Sequence, residues 1–104
     1  MAVGLVLKFA NTSLDVYKKV NGLLGIDMTT GAGDWPAGLL SHAGGTTEDG
    51  SLVVIEVWES REAQGKFMAG RLGAALGQGG ITVVPELTWV DLVAYHTPGN
   101  LATR

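Results

Sequence analysis

Residues 52–63 read LVVIEVWESREA, and this stretch decides the fold class. Its first seven residues are apolar except for Glu56, which is typical of a strand that is covered on both faces. Ser60 is a favourable N-cap residue, and Glu62 lies in the first helical turn, where a negative charge is stabilising. The stretch therefore predicts a buried strand that runs directly into a helix, and the helix is expected to end at Gly77.

Three more strands and one more helix flank this stretch. Apolar residues alternate over residues 3–9 and predict the first strand, and helical spacing over residues 12–24 predicts the first helix. Residues 38–45 predict the second strand, and residues 81–95 predict the last strand, bent at Pro85. The order is β-α-β-β-α-β, which predicts an α+β, ferredoxin-like fold with a four-stranded antiparallel sheet and both helices on one face.

The length and composition predict a small domain with a partner. The chain has 104 residues, so we expect a single domain over residues 1–97 and a C-terminal tail over residues 98–104. Hydrophobic residues make up 46% of the chain and charged residues only 16%. The aliphatic set Val53, Ile55 and Val57 would lie on the sheet face without helices. We therefore expect a homodimer in which these faces meet as a dimeric α/β barrel.

Charge and residue usage exclude several classes of function. The net charge is −3 with no basic run, so neither nucleic acid nor an anionic membrane is an expected partner. The absence of cysteine excludes disulfides, thiolate metal sites and a cysteine nucleophile. The apolar start lacks the positive region of a signal peptide, and we expect a cytoplasmic protein. No spacing motif brings His42, Glu56 and His96 together as a metal site, and no cofactor is expected.

His42 is the first candidate for chemistry, because it lies in the middle of a strand of small and apolar residues. If the hairpin register places Leu40 and His42 on the helix side, His42 becomes an opposite or diagonal neighbour of Glu56, with Cβ atoms about 4.5–8 Å apart. A histidine beside a carboxylate in an apolar pocket is a plausible general base. The alternative is a structural histidine that donates to a carbonyl while Glu56 pairs elsewhere.

Trp58 is the third residue that we assign to the catalytic group, either as a pocket wall or as a space-filling residue beneath the second helix. The loop over residues 27–36 carries large apolar side chains, which is typical of a lid or a pocket wall. A small apolar or aromatic ligand would contact side chains from the helices, the loop and the second strand. The predicted pocket residues are Tyr17, Met28, Trp35, Leu40 and Phe67.

Residues 38–44 (GLLSHAG), residues 52–63 and the pair Phe67-Met68 together resemble the antibiotic biosynthesis monooxygenase-like family of the dimeric α/β barrel superfamily. The resemblance implies a ligand site between the sheet and the helices, and a dimer that closes on the other sheet face. It also implies a chemistry: some members of that superfamily are cofactor-free monooxygenases that act on aromatic polyketides, while others are polyketide cyclases or haem-degrading enzymes.

The sequence departs from members of this superfamily in two places, one on the third strand and one on the second helix. Val54 stands near the place where quinone-forming monooxygenases have an asparagine, and Phe67, Met68 and Arg71 lie where haem-degrading members have a histidine. The absence of that histidine argues against haem degradation. Despite Val54, the resemblance favours a cofactor-independent monooxygenase, in which His42 would take a proton from a polyketide-like substrate. The alternatives are a cyclase of the same fold and a non-catalytic dimeric protein that binds a small molecule, such as a stress protein.

Overall fold

The structure is a computed structural model that describes residues 2–27, 29–81 and 83–95. Four strands and two helical segments follow one another in the predicted order, and a π-helical turn interrupts the second helical segment. The elements are β1 (Val3–Phe9), α1 (Leu14–Leu24), β2 (Leu39–Thr46), β3 (Leu52–Trp58), α2 (Arg61–Phe67), the π-helical turn (Met68–Leu72), α3 (Gly73–Gln78) and β4 (Glu86–Asp91).

The strands form one antiparallel sheet in the order β2-β3-β1-β4. Together with the helices, this is the α+β, ferredoxin-like fold that the sequence predicts. The last strand is shorter than the predicted range 81–95 at both ends, because β4 begins at Glu86, directly after Pro85, and ends at Asp91. Proline has no N–H to donate to the ladder, so the strand begins after it rather than bending through it. The predicted tail, residues 98–104, lies outside the described residues.

Helix α1 presents one stripe of side chains to the sheet. Ser13 caps its first turn by accepting a hydrogen bond from Val16 N, and Gly25 ends it in the left-handed conformation at φ 77°. The buried residues of the helix follow a spacing of three and four residues, which places them on one face. They are Tyr17, Val20, Asn21 and Leu24.

Strand β3 lies inside the sheet and has two different faces. Val54, Glu56 and Trp58 point toward the helices and are buried, whereas Ile55 on the opposite face is 54% exposed. In the register of the sheet, Glu56 lies opposite Leu5 of β1 on one side and opposite His42 of β2 on the other. The alternation that the sequence shows over residues 52–58 therefore matches the observed division between the two faces.

Strand β2 contains a bulge that corrects one of the predicted residues. Leu39 pairs with Trp58, but the adjacent β3 residue Val57 pairs with Ser41, so Leu40 has no partner in the ladder. One extra residue exchanges the two faces of a strand. Leu39 before the bulge and His42 after it therefore point to the helix side, and Leu40 is exposed.

Among the described residues, no helix packs against the sheet face that carries Ile55. Val90 of β4 lies on the same face and is 43% exposed, while Val53 and Val57 are half-buried.

Among the residues that the structure describes, no helix has both the length and the apolar character that crossing a membrane requires.

Candidate functional site

Four side chains form a continuous series of hydrogen bonds between the sheet and helix α1. His42 Nδ1 lies 2.9 Å from Glu56 Oε2, and both side chains are about nine-tenths buried. The other oxygen of the carboxylate, Oε1, accepts a hydrogen bond of 2.9 Å from the indole N–H of Trp58. The hydroxyl of Tyr17 lies 2.6 Å from His42 Nε2. We call these four residues the relay.

The direction of each hydrogen bond in the relay follows from what each group is able to donate. An indole N–H donates only and an ionised carboxylate accepts only, so Glu56 accepts from Trp58 and also from His42 Nδ1–H. A neutral imidazole with its proton on Nδ1 has an acceptor at Nε2. When His42 is neutral, Tyr17 O–H therefore donates to it, and the imidazole is held in one tautomer and one orientation.

Burial raises the pKa of Tyr17 above its usual value, and the negative charge of Glu56 acts in the same direction. The side chain of Asn21 acts in the opposite direction, because it lies near the phenolic oxygen. The net result is a phenol that keeps its proton at neutral pH. A neutral Tyr17 is what the hydrogen bond to His42 Nε2 requires.

Tyr17 reaches His42 because the neighbouring position on β2 has no side chain. A Cβ atom at Gly44 would lie 2.6 Å from Tyr17 Cζ, which is closer than real Cβ contacts come. Gly44 pairs with Val54 of β3 and lies on the same face as His42. The glycine therefore leaves the space in which the phenol ring lies, and it is the part of β2 that positions Tyr17.

A partly open apolar cavity lies beside the relay. Its volume is about 50 Å³, which is room for a few water molecules. The lining residues come from β1, β2, β3, all the helical segments, the loop after α1 and the segment after α3. They are Leu7, Phe9, Tyr17, Val20, Asn21, Leu24, Ile26, Trp35, Pro36, Leu39, His42, Leu52, Val54, Glu56, Phe67, Leu72, Leu76 and Ile81.

Most of the residues that we predicted for the site lie around this cavity, and two do not. Tyr17, Trp35 and Phe67 line it together with His42 and Glu56. Leu40 is excluded by the bulge, and Leu39 takes its place. Trp58 is fully buried at 0% exposure and does not line the cavity, so its side chain acts through Glu56 rather than as a wall. Met28 lies outside the described residues.

Trp35 covers the cavity from the loop after α1. Its ring centroid lies 5.5 Å from that of His42, and its indole N–H donates to Gly31 O at 2.9 Å. Arg71 of the π-helical turn holds this loop by donating to Leu24 O at 2.9 Å and to Asp34 O at 2.6 Å. The loop is therefore fixed at both of its ends while Trp35 closes over His42.

Sequence reasoning missed the roles of Asn21, Gly44 and Arg71 in this arrangement. Asn21 follows Tyr17 by four residues on α1, and this spacing is a signal that the two side chains are neighbours. No local pattern marks Gly44 or Arg71, because both act through contacts with distant parts of the chain. Among residues 2–27, 29–81 and 83–95, no three His, Asp or Glu side chains lie close enough together to hold a metal ion.

Comparison with known proteins finds similarity in structure but not in sequence. No family model matches the chain, and no curated protein matches it. Among solved structures, Rv0793 from Mycobacterium tuberculosis superposes with a TM-score of 0.64 at 18% identity, over 93% of this chain and 100% of that chain.

Two oxygenases from Streptomyces also share the fold. One is the monooxygenase ActVA-Orf6 of Streptomyces coelicolor, solved with the ligand nanaomycin D, with a TM-score of 0.59, 20% identity and coverage of 93% of this chain and 92% of that chain. The other is SnoaB of Streptomyces nogalater, a cofactor-independent oxygenase, with a TM-score of 0.59, 16% identity and coverage of 93% and 96%. The chain therefore has the fold of the antibiotic biosynthesis monooxygenase-like proteins, as the motifs over residues 38–68 predict.

Proposed function

We propose that this protein is a cofactor-independent monooxygenase that removes a proton from an aromatic, polyketide-like substrate through Tyr17 and His42. The observation that carries the proposal is the buried relay of Tyr17, His42, Glu56 and Trp58 beside an apolar cavity. Such a relay is a base with a fixed tautomer and a compensating negative charge.

In this geometry His42 would act on the substrate through Tyr17 rather than directly. Because Nε2 already accepts from Tyr17, the atom that meets the substrate is the Tyr17 oxygen. That oxygen takes the proton of a substrate phenol or enol while its own proton passes to His42 Nε2. Glu56 accepts from Nδ1–H and stabilises the imidazolium that forms. Tyr17 begins and ends the step as a neutral phenol.

The deprotonated substrate would then react with molecular oxygen. Electron transfer and C–O bond formation at an activated ring carbon give a peroxide anion, which takes the proton held on His42. The hydroperoxide loses water, so that a CH₂ group and O₂ become a C=O group and H₂O. One oxygen atom enters the product and the other leaves in water, and the substrate methylene supplies all four electrons.

The fold comparison supports this class of reaction, because two neighbours in structure are oxygenases and one of them was solved with nanaomycin D. Nanaomycin D is therefore our first ligand probe. The cavity holds only a few waters, so a polycyclic ligand needs Trp35 and its loop to move outward. We also propose that two copies of the chain pair through the sheet face that carries Ile55 and Val90, because this face is apolar and uncovered.

The test is oxygen uptake with dithranol, a tricyclic phenol that has an oxidisable methylene group. We expect the wild-type protein to consume oxygen and to place one labelled atom from ¹⁸O₂ in the product. Removal of a positioned general base costs about 100-fold to 10,000-fold in rate. We expect losses of that order in His42→Ala and in Tyr17→Phe, after subtraction of the uncatalysed oxidation.

Glu62→Gln is the matched control for Glu56→Gln. Glu62 is an exposed carboxylate on α2, so its variant is expected to keep the wild-type rate, whereas Glu56→Gln is expected to lose activity with His42→Ala. Equal rates in wild type and His42→Ala would contradict the proposal. A wild-type protein that consumes no oxygen above the uncatalysed rate would contradict it as well.

A second candidate is a non-catalytic binding protein, and one observation favours it. All the polar atoms of the relay satisfy one another without a ligand, and the cavity beside them is small. In that case nanaomycin D binds, no product forms, and substitution of His42 changes affinity alone.

A further inference from the structure

Two buried side-chain amide nitrogens have no hydrogen-bond partner among the described residues. They are Asn21 Nδ2 on α1 and Gln64 Nε2 on α2, in side chains that belong to residues only 6% and 4% exposed. An unpartnered buried donor costs free energy, because it has lost its water without gaining an acceptor. Such a group in a folded protein needs an explanation, and the position of Asn21 suggests one.

Only Asn21 lies at the cavity. It is one of the lining residues, whereas Gln64 is not. Asn21 follows Tyr17 by one turn of α1, and both side chains line the cavity. The unpartnered N–H group and the hydroxyl that would receive the substrate's proton are thus neighbours on the same wall.

We propose that Asn21 Nδ2 and Tyr17 O–H form a two-donor cradle for the oxyanion of a deprotonated phenol or enol. This inference rests on the proposed function and names the part of the substrate that the site recognises. The substrate O–H bond breaks, its proton goes to the Tyr17 oxygen, and the former Tyr17 proton goes to His42 Nε2. The substrate oxyanion then accepts hydrogen bonds from the new Tyr17 O–H and from Asn21.

The cradle explains why the fold keeps an unpartnered donor. Hydrogen bonds to an ionised acceptor are about twice as strong as neutral ones. Donors that are already in place when charge develops stabilise the charged state without reorganisation. Asn21 is therefore unfavourable in the free protein and favourable once the oxyanion forms, so it stabilises the ionised ligand more than the neutral one.

The probe is 4-nitrophenol, a single-ring phenol whose phenolate has its own visible absorbance. We expect 4-nitrophenol bound to the wild-type protein to ionise at a lower pH than the free compound. Asn21→Leu keeps the approximate volume and removes the donor. The loss of one charge-assisted hydrogen bond is expected to reduce the ionisation constant of the bound phenol about tenfold or more.

Gln64→Leu is the matched control, since it removes the other unpartnered buried amide without touching the cavity. Both variants are expected to keep or raise the melting temperature, because each removes an unsatisfied polar group. Only Asn21→Leu is expected to change the ionisation of 4-nitrophenol. If Asn21→Leu fails to fold, Asn21→Asp has the same shape and is expected to disfavour the bound phenolate still further, because it adds a negative charge.

Three results would overturn the cradle: wild-type protein that does not bind 4-nitrophenol, a bound phenol whose ionisation is the same in Asn21→Leu, or an equal change in Gln64→Leu. These results are distinct from failure of the proposed function. If Asn21→Leu leaves the ionisation unchanged while His42→Ala still abolishes oxygen uptake, the cradle is wrong and the monooxygenase proposal stands. A shift that depends on Asn21 without oxygen uptake supports the cradle in a binding protein.

Discussion

The two faces of strand β3 differ in burial and in hydrogen bonding. On the helix side, Glu56 and Trp58 join a hydrogen-bonded relay and are almost fully buried. On the other side, Ile55 is more than half exposed and lies opposite Val6 of β1 and Ala43 of β2. Donors from β2 and β3 make the buried carboxylate of Glu56 tolerable on the helix side, and no described helix covers the other face.

On this short strand the polar side chain of Glu56 is buried and the aliphatic side chain of Ile55 is exposed. A carboxylate buried without donors would be strongly unfavourable, but Glu56 has a donor for each oxygen. The open face needs no such arrangement, because aliphatic side chains gain by losing water to any apolar surface. Substitutions on the helix side should therefore change the stability of the chain, and substitutions on the open face should change its association.

The largest expected effect comes from substitutions on opposite faces of β3. Trp58→Ala leaves a cavity and removes a donor from Glu56, so we expect it to lower the free energy of unfolding by about 3–5 kcal/mol. Ile55→Lys places a charge on the open face and should leave the stability of the single chain nearly unchanged. Urea unfolding measures the first effect, and sedimentation velocity of Ile55→Lys measures loss of the proposed dimer.

Either of two results would contradict this difference between the faces. A Trp58→Ala protein with wild-type stability would mean that the relay is not part of the folded core. A wild-type chain that sediments as a monomer, or an Ile55→Lys chain that sediments as a dimer, would show that the open face does not join two copies.

The next largest effect is expected at Gly44. Gly44→Ala places a methyl group where the Tyr17 ring lies, so the ring has to move away from His42. Overpacking of this kind costs about 1–3 kcal/mol of stability. The hydrogen bond to Nε2 should be lost at the same time, and an NMR spectrum of the His42 ring nitrogens would record the change.

Gly45→Ala is the control for this variant. Gly45 is the next residue on β2, and a Cβ atom there would meet nothing within 4 Å. Its effect on unfolding should stay below about 1 kcal/mol, with the His42 nitrogens unchanged. Equal effects at both glycines would show that the cost comes from the backbone of β2 and not from Tyr17.

The sequence predicted the parts of this site that depend on a period of two. The alternation over residues 52–58 places Glu56 and Trp58 on the helix side, and hairpin pairing brings His42 opposite Glu56. It could not predict the bulge at Leu40, because no local residue there marks an inserted position. Nor could it show that Tyr17 reaches His42, since that depends on the space above Gly44, which forms only when α1 packs on the sheet.

The smallest expected effect is the pH dependence of Tyr17, and it tests the helix-side environment without any loss of structure. Burial raises the pKa of Tyr17, so the folded state favours the protonated phenol more than the unfolded state does. This contribution to stability is fully present below about pH 10, the usual pKa of tyrosine, and is lost as the pH rises through the higher folded value.

Tyrosinate absorbance in Tyr95→Phe isolates this titration, because Tyr17 and Tyr95 are the only tyrosines in the chain. We expect Tyr17 to ionise above pH 10, and Asn21→Leu to move its pKa further upward, since the Asn21 side chain lowers it. A Tyr17 that ionises at or below its usual value would mean that the phenol is hydrated. A hydrated phenol would not keep its hydrogen bond to His42 Nε2, and the relay would then end at the imidazole.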